Sequence, residues 1–389
     1  MAVARKIKTM SVLLFLIVQV LAGPALPSLA HAERMSSQEV LHDWYRLVLE
    51  LVRHTPNYSP PVASRSFSYL GVTAFEAVAT GSDDLTSLAG QLNGLTPVPQ
   101  REAGKTYDDA IILQSAMAFA VRNYFDHTGP TGQRAMTAME ADLKAKVAEG
   151  LSNDVVAASE AYGVAVAQHI FDWSDDDGGA DVQNMGFPLK YDLRKGPDQW
   201  VPTSTIGQQQ LPLLPSWGAN RPFSMPKGAV CDLPPPPAYS EDKTSEFYKQ
   251  ALEVFDTKKN LTPEQRQIAA FWADDAMLSS TPPGHWIAIA WQILDRDQAS
   301  LNQSVETMAR LGVTLADAFI GCWKTKYEVN LLRPVTYIRR TMDPKWESFL
   351  TTPPFPEYPS GHSTQSGAAA TVLTQIFGEN FAFEDASHE

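Results

Sequence analysis

The sequence predicts an all-α protein, and three observations support this prediction. Five segments of the first half carry apolar residues at three- and four-residue spacing. The same spacing returns in the second half, after an irregular, proline-rich stretch. None of the periodic segments shows the alternating pattern of a half-buried strand. With 389 residues, 44% of them hydrophobic, the chain is long enough to bury a large core.

The first element is a predicted export signal. Three cations precede an apolar run at 10–22, and residues 30–32 (Ala-His-Ala) fit the small-x-small pattern of a cleavage site. The run is shorter than the ~20 residues of a membrane-spanning helix, and an uncleaved anchor is the alternative. We expect residues 1–32 to be removed after Ala32. The mature protein would then be periplasmic or secreted, without a transmembrane segment.

The charge limits the possible ligands. The net charge of −13 becomes −16 without residues 1–32, which hold three cations and no acid. Such an acidic chain is a poor candidate for binding nucleic acid, and an anion site would need a few local cations. Cys231 and Cys322 are the only cysteines and do not form a metal framework. Either one disulfide or two buried thiols would be consistent with the sequence.

We divide the mature chain into three regions. Residues 33–173 form an N-terminal helical region, with helices predicted at 36–54, 64–80, 106–126, 132–149 and 153–173. Residues 174–243 are irregular and rich in proline, which indicates a segment that wraps over a surface. Its acidic run Asp175 to Asp177 fits a solvated turn, with a cation site as the alternative. Residues 244–389 form a C-terminal helical domain.

Helical spacing in the C-terminal domain predicts helices at 244–256, 263–278, 285–296 and 300–331. Lys326 and Arg333 are seven residues apart, nearly two helical turns, so both cations can point to one side. Pro334 disfavours helix at Arg333, so the helix should end there. A lysine beside a forked guanidinium suits a tetrahedral oxyanion, whereas either cation alone would fit solvated surface charge.

A second motif lies in the stretch FPEYPSGHST, at 355–364. Ser360 can cap a helix predicted at 361–377, and Gly361 would let an anion approach backbone N–H groups. The positive end of the helix dipole would face that anion. His362 adds a group that titrates near neutral pH. The tetrapeptide alone could be a helix cap, but together with the upstream cations it indicates an oxyanion site.

These motifs, Lys326-x6-Arg333-Pro334 and Pro359-Ser360-Gly361-His362, resemble the first two signatures of one superfamily. It contains the type-2 phosphatidic acid phosphatases and the vanadium-dependent haloperoxidases. Similarity to its soluble, secreted bacterial branch extends over most of the mature chain, in stretches such as WVPT at 200–203 and PGHW at 283–286. The resemblance implies an all-helical fold of helical bundles, with vanadate or phosphate held at one end.

The resemblance also implies roles for the motif residues. Lys326 and Arg333 would neutralise equatorial oxygens, and Ser360 and the Gly361 N–H would donate further hydrogen bonds. His362 would act as a general acid or base. Each charge-assisted bond would contribute about 1.5–3 kcal/mol in a dry site.

Three further residues are less strongly indicated as part of the site. His285 could lie near it as a supporting residue, although a structural role at a helix start is the expectation. Asp274 and Asp275 are expected at the surface or in support of the site, not in catalysis. We expect no metal that protein side chains ligate directly.

The family's third motif, Arg-x5-His, is not found. Its histidine bonds covalently to phosphorus or vanadium. No arginine follows Arg340, and Ala382 stands six residues before the last histidine, His388. We expect a fragment of a longer enzyme, without the last helices of the bundle and with an exposed apolar face. A natural truncation, or a third motif from another chain, is the alternative.

Three functions follow from these expectations. The first is an exported haloperoxidase that uses vanadate as cofactor and oxidises halide with hydrogen peroxide. The second is a soluble acid phosphatase, with a phosphate ester as substrate and no cofactor. The third is an inactive protein that binds oxyanions, because without the covalent histidine no other nucleophile is visible. Substrate identity and oligomeric state stay open.

Overall fold

The computed structural model describes residues 34–184, 187–188, 190–204, 211–226, 233–275 and 277–387. Within these ranges the backbone forms α-helices, one 3-10 turn and no β-strand, which confirms the all-α prediction. The predicted signal at 1–32 lies outside the described residues. The helices are α1 (Ser37–Arg53), α2 (Pro60–Ala79), α3 (Asp109–Tyr124), α4 (Pro130–Ala148), α5 (Asn153–Asp175), α6 (Gly179–Asn184), α7 (Glu246–Asn260), α8 (Pro263–Phe271), α9 (Thr281–Arg296), α10 (Leu301–Val329), α11 (Pro334–Thr341) and α12 (Gly361–Phe377), with the 3-10 turn at Trp217–Ala219.

Most of these helices begin at a residue that suits a helix start. A side-chain oxygen accepts the backbone N–H three residues on, which satisfies one of the free donors of the first turn. Five helices also carry proline in that turn, where its missing N–H does no harm. The capping residues are Ser36, Asp108, Ser152, Ser245, Thr262, Ser300 and Ser360.

Helix α2 is the axis of the core. Every residue from Pro61 to Ala77 is buried, and α3, α5, α9 and α10 all pack on this helix. Where α2 crosses α10, a Cβ on Gly71 would lie 2.9 Å from the carbonyl oxygen of Met308. A Cβ on Gly312 would lie 3.0 Å from the carbonyl oxygen of Phe67. The two glycines therefore allow the backbones to approach closely.

The acidic turn after α5 corrects a prediction. Asp177 is buried, and its carboxylate accepts from Arg65 Nε at 2.7 Å and Arg65 Nη2 at 3.1 Å. The Tyr69 hydroxyl and the Gly179 N–H also donate to it, at 2.7 and 2.6 Å. Only Asp175 and Asp176 are exposed, as a solvated turn requires. Asp177 instead ties this turn to α2, because a charge inside the core needs a partner.

One described part of the irregular segment, at 211–226, contacts α10. The buried carboxylate of Asp317 accepts three successive backbone N–H groups, from Phe223, Ser224 and Met225. The carbonyl of Leu213 accepts from two α10 side chains, at Trp323 Nε1 and Tyr327 Oη. Side chains of α10 thus satisfy four backbone groups of this irregular stretch.

Several helix boundaries differ from the sequence prediction, and three of them lie in the C-terminal domain at α8, α9 and α10. Helix α8 ends at Phe271 instead of 278. Helix α9 begins at Thr281 instead of 285, because the first turn of a helix tolerates its two prolines. Helix α10 ends at Val329, where Asn330 adopts a left-handed conformation with φ 53°. Pro334 therefore does not end that helix. It begins α11 instead, with Arg333 as the N-cap residue.

The outer C-terminal helices are lightly buried. Helix α8 has no buried residue, and α12 buries only the stripe Gln365, Ala369 and Leu373. The exposed positions of α12 are small or polar, so the expected apolar face is not found there. Exposed large apolar side chains lie instead on α8, on the turn after it and in the loop before α12, at Ile268, Trp272, Met277, Leu278, Phe349 and Leu350.

Two smaller expectations concern cysteines and membranes. Cys322 is buried with a free thiol, and burial raises its pKa. Cys231, with which Cys322 would form the one possible disulfide, lies outside the described residues. Among the helices of the described ranges, none is both long enough and apolar enough to cross a bilayer.

Candidate functional site

The floor of the candidate site is Lys326, near the C-terminal end of α10. Its side chain is almost fully buried. Nζ donates to three carbonyls of the site loop, which we define as residues 355–360: Pro356 at 3.0 Å, Glu357 at 2.9 Å and Pro359 at 2.5 Å. Burial lowers the pKa of this ammonium to about 8. Lys326 therefore anchors the site loop and places a positive charge beneath it.

Arg333 approaches the same loop from the start of α11. Its Nε donates to the carbonyl of Phe355 at 2.7 Å, and its Nη1 donates to Glu357 Oε2 at 2.7 Å. The guanidinium carbon lies 4.8 Å from the centre of the Phe355 ring. Among the described residues, the buried Nη2 has no hydrogen-bond partner. A buried donor without an acceptor is unfavourable, so a ligand that accepts from Nη2 would be stabilised.

The N-terminus of α12 forms a second wall. Ser360 Oγ accepts the N–H of Ser363 at 3.2 Å and so caps the helix. A Cβ on Gly361 would make only ordinary contacts, 3.8 Å from Trp323 and 3.9 Å from Phe319. Packing does not require glycine here, whereas an anion near the backbone N–H groups would benefit from the missing side chain.

His362 follows in the first turn of α12 and is exposed. Its Nε2 lies 3.2 Å from the carbonyl oxygen of Ala273. Because a carbonyl can only accept, Nε2 carries the proton in this arrangement, and Nδ1 is the basic nitrogen of the neutral ring. The imidazole is therefore oriented by the turn after α8.

All five predicted site residues, Lys326, Arg333, Ser360, Gly361 and His362, line one cavity of about 480 Å³. Lys326 and Arg333 lie close together for a different reason from the one that the sequence suggested. Lys326 and Arg333 do not share a helix, since α10 ends between them, and the site loop brings them together. The other walls are largely apolar and include Trp272, Phe319, Trp323 and Phe355. A neighbouring cavity of about 500 Å³ shares Arg333 and Ser360.

His285 does not line this cavity. It is buried in α9, where Nδ1 lies 2.9 Å from Asp274 Oδ2 and Nε2 lies 2.8 Å from Asp385 Oδ2. Burial opposes its positive charge, but the two carboxylates outweigh burial and raise the pKa of His285. Trp272 stacks on the ring at 4.7 Å. The structural role expected for His285 fits this arrangement. Asp274 is buried, not at the surface, and supports the histidine.

Sequence reasoning missed Glu357. Among the described residues that line the cavity, it carries the only carboxylate, and that carboxylate bonds to Arg333. The residue was visible in the stretch FPEYPSGH, three positions before Ser360. No local pattern reveals that the side chain turns back to an arginine 24 positions earlier in the chain.

This donor set fits a tetrahedral oxyanion. Two buried cations, an unsatisfied guanidinium N–H and a helix N-terminus with room for a ligand all favour negative charge. In the part of the chain that the structure describes, no group of three His, Cys, Asp or Glu side chains is placed to hold a metal cation. Vanadate and phosphate share the required shape and charge.

Comparisons with known proteins agree with these motifs. The family model described as the VCPO second helical-bundle domain matches residues 306–388. Vanadium chloroperoxidase of Curvularia inaequalis is 30% identical over 141 residues. The aligned part covers 30% of this chain and 23% of that relative, so the match spans about a quarter of the relative's length.

Solved structures extend the similarity to nearly the whole chain. A structure described as the first bacterial vanadium-dependent iodoperoxidase is 37% identical, with a TM-score of 0.81. The match covers 90% of this chain and 83% of that one. A holo-type bacterial vanadium-dependent chloroperoxidase is 17% identical, covering 83% of this chain and 76% of its own, with a TM-score of 0.61. At that identity the likeness concerns the fold alone.

Proposed function

This chain belongs to the vanadium-dependent haloperoxidase superfamily, and from that premise we propose that it binds vanadate in the cavity between α10, the site loop and α12. The observation that carries the proposal is Arg333. Its guanidinium is buried, lies beside a second buried cation, and its Nη2 donates to no acceptor among the described residues. A tetrahedral oxyanion would satisfy that donor.

Each site residue has a distinct role in this proposal. Arg333 offers Nη2 to an oxyanion oxygen, and the Gly361 N–H offers a second donor at the end of the α12 dipole. Lys326 contributes its charge from beneath the site loop, because the loop carbonyls already accept from its Nζ. Ser360 Oγ retains a hydroxyl proton to donate while it caps α12.

The proposed reaction is the oxidation of a halide by hydrogen peroxide. Bound vanadate would activate the peroxide as a Lewis acid, without itself changing oxidation state. His362 stands at the cavity wall with a basic nitrogen, and it would take up or return a proton as general base or acid. We propose iodide as the first halide to test, since the structural relative with 37% identity is named as an iodoperoxidase. The resemblance also implies a third motif, Arg-x5-His, and residues 1–389 do not contain it.

We further propose that the protein is exported. Residues 1–32 have the charged start, the apolar run and the cleavage pattern of a secretory signal. N-terminal sequencing of the protein secreted by its native cell tests this proposal. A first residue after Ala32 is the expected result, and an intact Met1 in a membrane fraction would contradict it.

Calorimetric titration with orthovanadate tests the site. We expect Arg333→Ala to lose at least tenfold in affinity, because a charge-assisted hydrogen bond contributes about 1.5–3 kcal/mol. The control is Arg310→Ala, which removes an exposed arginine of α10 that pairs with Glu306 on the surface. Equal affinity of Arg333→Ala and wild type would refute the proposed site.

Activity assays test the reaction. Triiodide formation that requires both vanadate and peroxide would support a haloperoxidase. Hydrolysis of a nitrophenyl phosphate that vanadate inhibits would favour the phosphatase of the same superfamily instead.

A further inference from the structure

The oxyanion cavity already contains one anion of the chain itself. Glu357 Oε2 accepts from Arg333 Nη1 at 2.7 Å, and the two side chains are 35% and 10% exposed. Of the described residues that line the cavity, Glu357 alone is acidic. The carboxylate therefore lies where it cancels part of the positive charge that an oxyanion would meet.

The hydrogen bonds of Arg333 show which N–H donors this carboxylate shares with an incoming oxyanion. Nε donates to the Phe355 carbonyl, Nη1 donates to Glu357, and Nη2 donates to no described group. An oxyanion that binds a guanidinium through two parallel hydrogen bonds needs two adjacent donors. Only the pair Nη1 and Nη2 is available here, because Nε holds the loop backbone. Nη1 has a second N–H, but a carboxylate bound at Nη1 repels another anion at the adjacent edge, so an oxyanion binds that pair most tightly after the carboxylate has left.

The backbone of Glu357 is held independently of its side chain. Its N–H donates to the carbonyl of Leu331 at 3.0 Å, and its own carbonyl accepts from Lys326 at 2.9 Å. The carboxylate, by contrast, is one-third exposed. The side chain can therefore turn away into solvent while the site loop keeps its place.

We propose that Glu357 is an internal competitor for the oxyanion site, which an incoming vanadate or phosphate displaces from Arg333. This inference rests on the proposed function, because it concerns the same cavity. Glu357 then lowers the affinity of the site and selects for ligands that carry more negative charge than one carboxylate. A purely structural Glu357 would do the opposite, since holding Arg333 in position would raise the affinity.

The test measures the affinity of the purified chain for inorganic phosphate and for orthovanadate at neutral pH by calorimetric titration. Glu357→Gln keeps the size of the side chain and removes its charge. We expect it to bind either anion about tenfold more tightly than wild type, the order of one charge-assisted hydrogen bond that no longer has to be broken. Glu357→Ala should shift the affinity in the same direction.

The matched control is Glu328→Gln, which removes an exposed carboxylate of α10 that pairs with Lys324 at the surface. Its affinity should equal that of wild type. Thermal melting verifies that each variant is folded.

The possible outcomes separate the two proposals. Unchanged or weaker binding by both folded Glu357 variants, with wild type binding normally, overturns this inference and leaves the oxyanion site intact. Weaker binding together with a lower melting temperature would identify Glu357 as a residue that positions Arg333. Absence of binding by wild type and by both variants would overturn the proposed function as well.

Discussion

Two buried arginines show how the two halves of the molecule differ. Arg65 in α2 bonds to Asp177 through Nε and Nη2, and that carboxylate receives two further donors. Arg333 in the site bonds to a partly exposed carboxylate and keeps a buried Nη2 without an acceptor among the described residues. A buried charge with all its partners is expected in a core, whereas a buried donor without an acceptor needs an explanation, and the proposed oxyanion would supply one.

The surrounding helices differ in the same way. Helix α2 buries every residue from Pro61 to Ala77, while α8, beside the cavity, buries none. Elements with few buried contacts open locally at low free energy, and ligand-binding regions are usually built from them. Substitutions around α2 should therefore change the free energy of unfolding, and substitutions around the site should change ligand affinity.

The largest effect is expected from Asp177→Ala. It leaves the Arg65 guanidinium buried without its partner, which should lower the free energy of unfolding by about 3–5 kcal/mol. Urea denaturation measures the loss. The control is Asp175→Ala, two positions earlier on the exposed side of the same turn, and it should change stability by less than about 0.5 kcal/mol. Similar losses in both variants would contradict the distinction between the two aspartates.

A pair of glycine substitutions gives the next largest effect. Gly71→Ala places a methyl group 2.9 Å from a backbone oxygen of α10, and overpacking of this kind destabilises by about 1–3 kcal/mol. Gly367→Ala lies on the exposed side of α12 with nothing within 4 Å of the added carbon. It should stabilise by about 0.5–1 kcal/mol through helix propensity. Thermal melting of both variants should give shifts of opposite sign, and a stabilised Gly71→Ala would exclude tight packing at this crossing.

The affinity for oxyanions should decrease above pH 8. Burial lowers the pKa of Lys326 from 10.5 to about 8, so its charge is lost as the pH rises through that value. Phosphate affinity should fall about fivefold from pH 8 to 9 if only the protonated form binds. Lys326→Met, with no charge to lose, should bind weakly and show a smaller fall over the same range. Equal slopes for the two proteins would exclude a contribution of Lys326.

The same pKa shift has a consequence for stability, with the opposite direction in pH. The folded chain releases this proton at lower pH than the unfolded chain does. The penalty for the buried charge is therefore fully present below pH 8. It is relieved as the pH rises from 8 towards 10.5. The contribution of Lys326 to the free energy of unfolding increases over that interval.

The smallest effect comes from two capping boxes. Ser36 caps α1, which has seven buried side chains, and Thr262 caps α8, which has none. Ser36→Ala should lower the free energy of unfolding by about 1 kcal/mol. Thr262→Ala should leave global stability unchanged and speed hydrogen exchange in α8 alone, because that helix adds little to the core. A global loss in both variants would show that α8 is coupled to the core after all.

Much of the fold was predictable because its signals are local. The capping serines and threonines, the prolines of first turns and the 3.6-residue spacing located nearly all of the long helices. The short helices α6 and α11 were missed, since six or eight residues carry too little periodicity. Pro334 was misread because a proline both stops one helix and starts another, and only the left-handed Asn330 shows that α10 had already ended.

The five predicted residues lie around one cavity, but their contacts differ from those that the sequence suggests. Lys326 and Arg333 were assigned to one helix face, whereas the site loop is what joins them. Glu357 lies two positions before the Pro-Ser-Gly-His motif, and its contact with Arg333 depends on how the site loop folds back towards α11. That Nη2 of Arg333 meets no acceptor among the described residues is likewise visible only in the folded chain.

The helical class and most helix starts follow from the sequence alone, since each depends on residues a few positions apart. The grouping of Lys326, Arg333 and His362 was an expectation from the resemblance of two motifs to one superfamily. The tertiary structure alone decided which charges are satisfied. Asp177 meets Arg65 across 112 positions, and Asp385 meets His285 across 100. Such pairings depend on how helices cross and where loops return. Local propensity carries no information about either, so the difference between the satisfied Arg65 and the incompletely satisfied Arg333 appears only in the folded molecule.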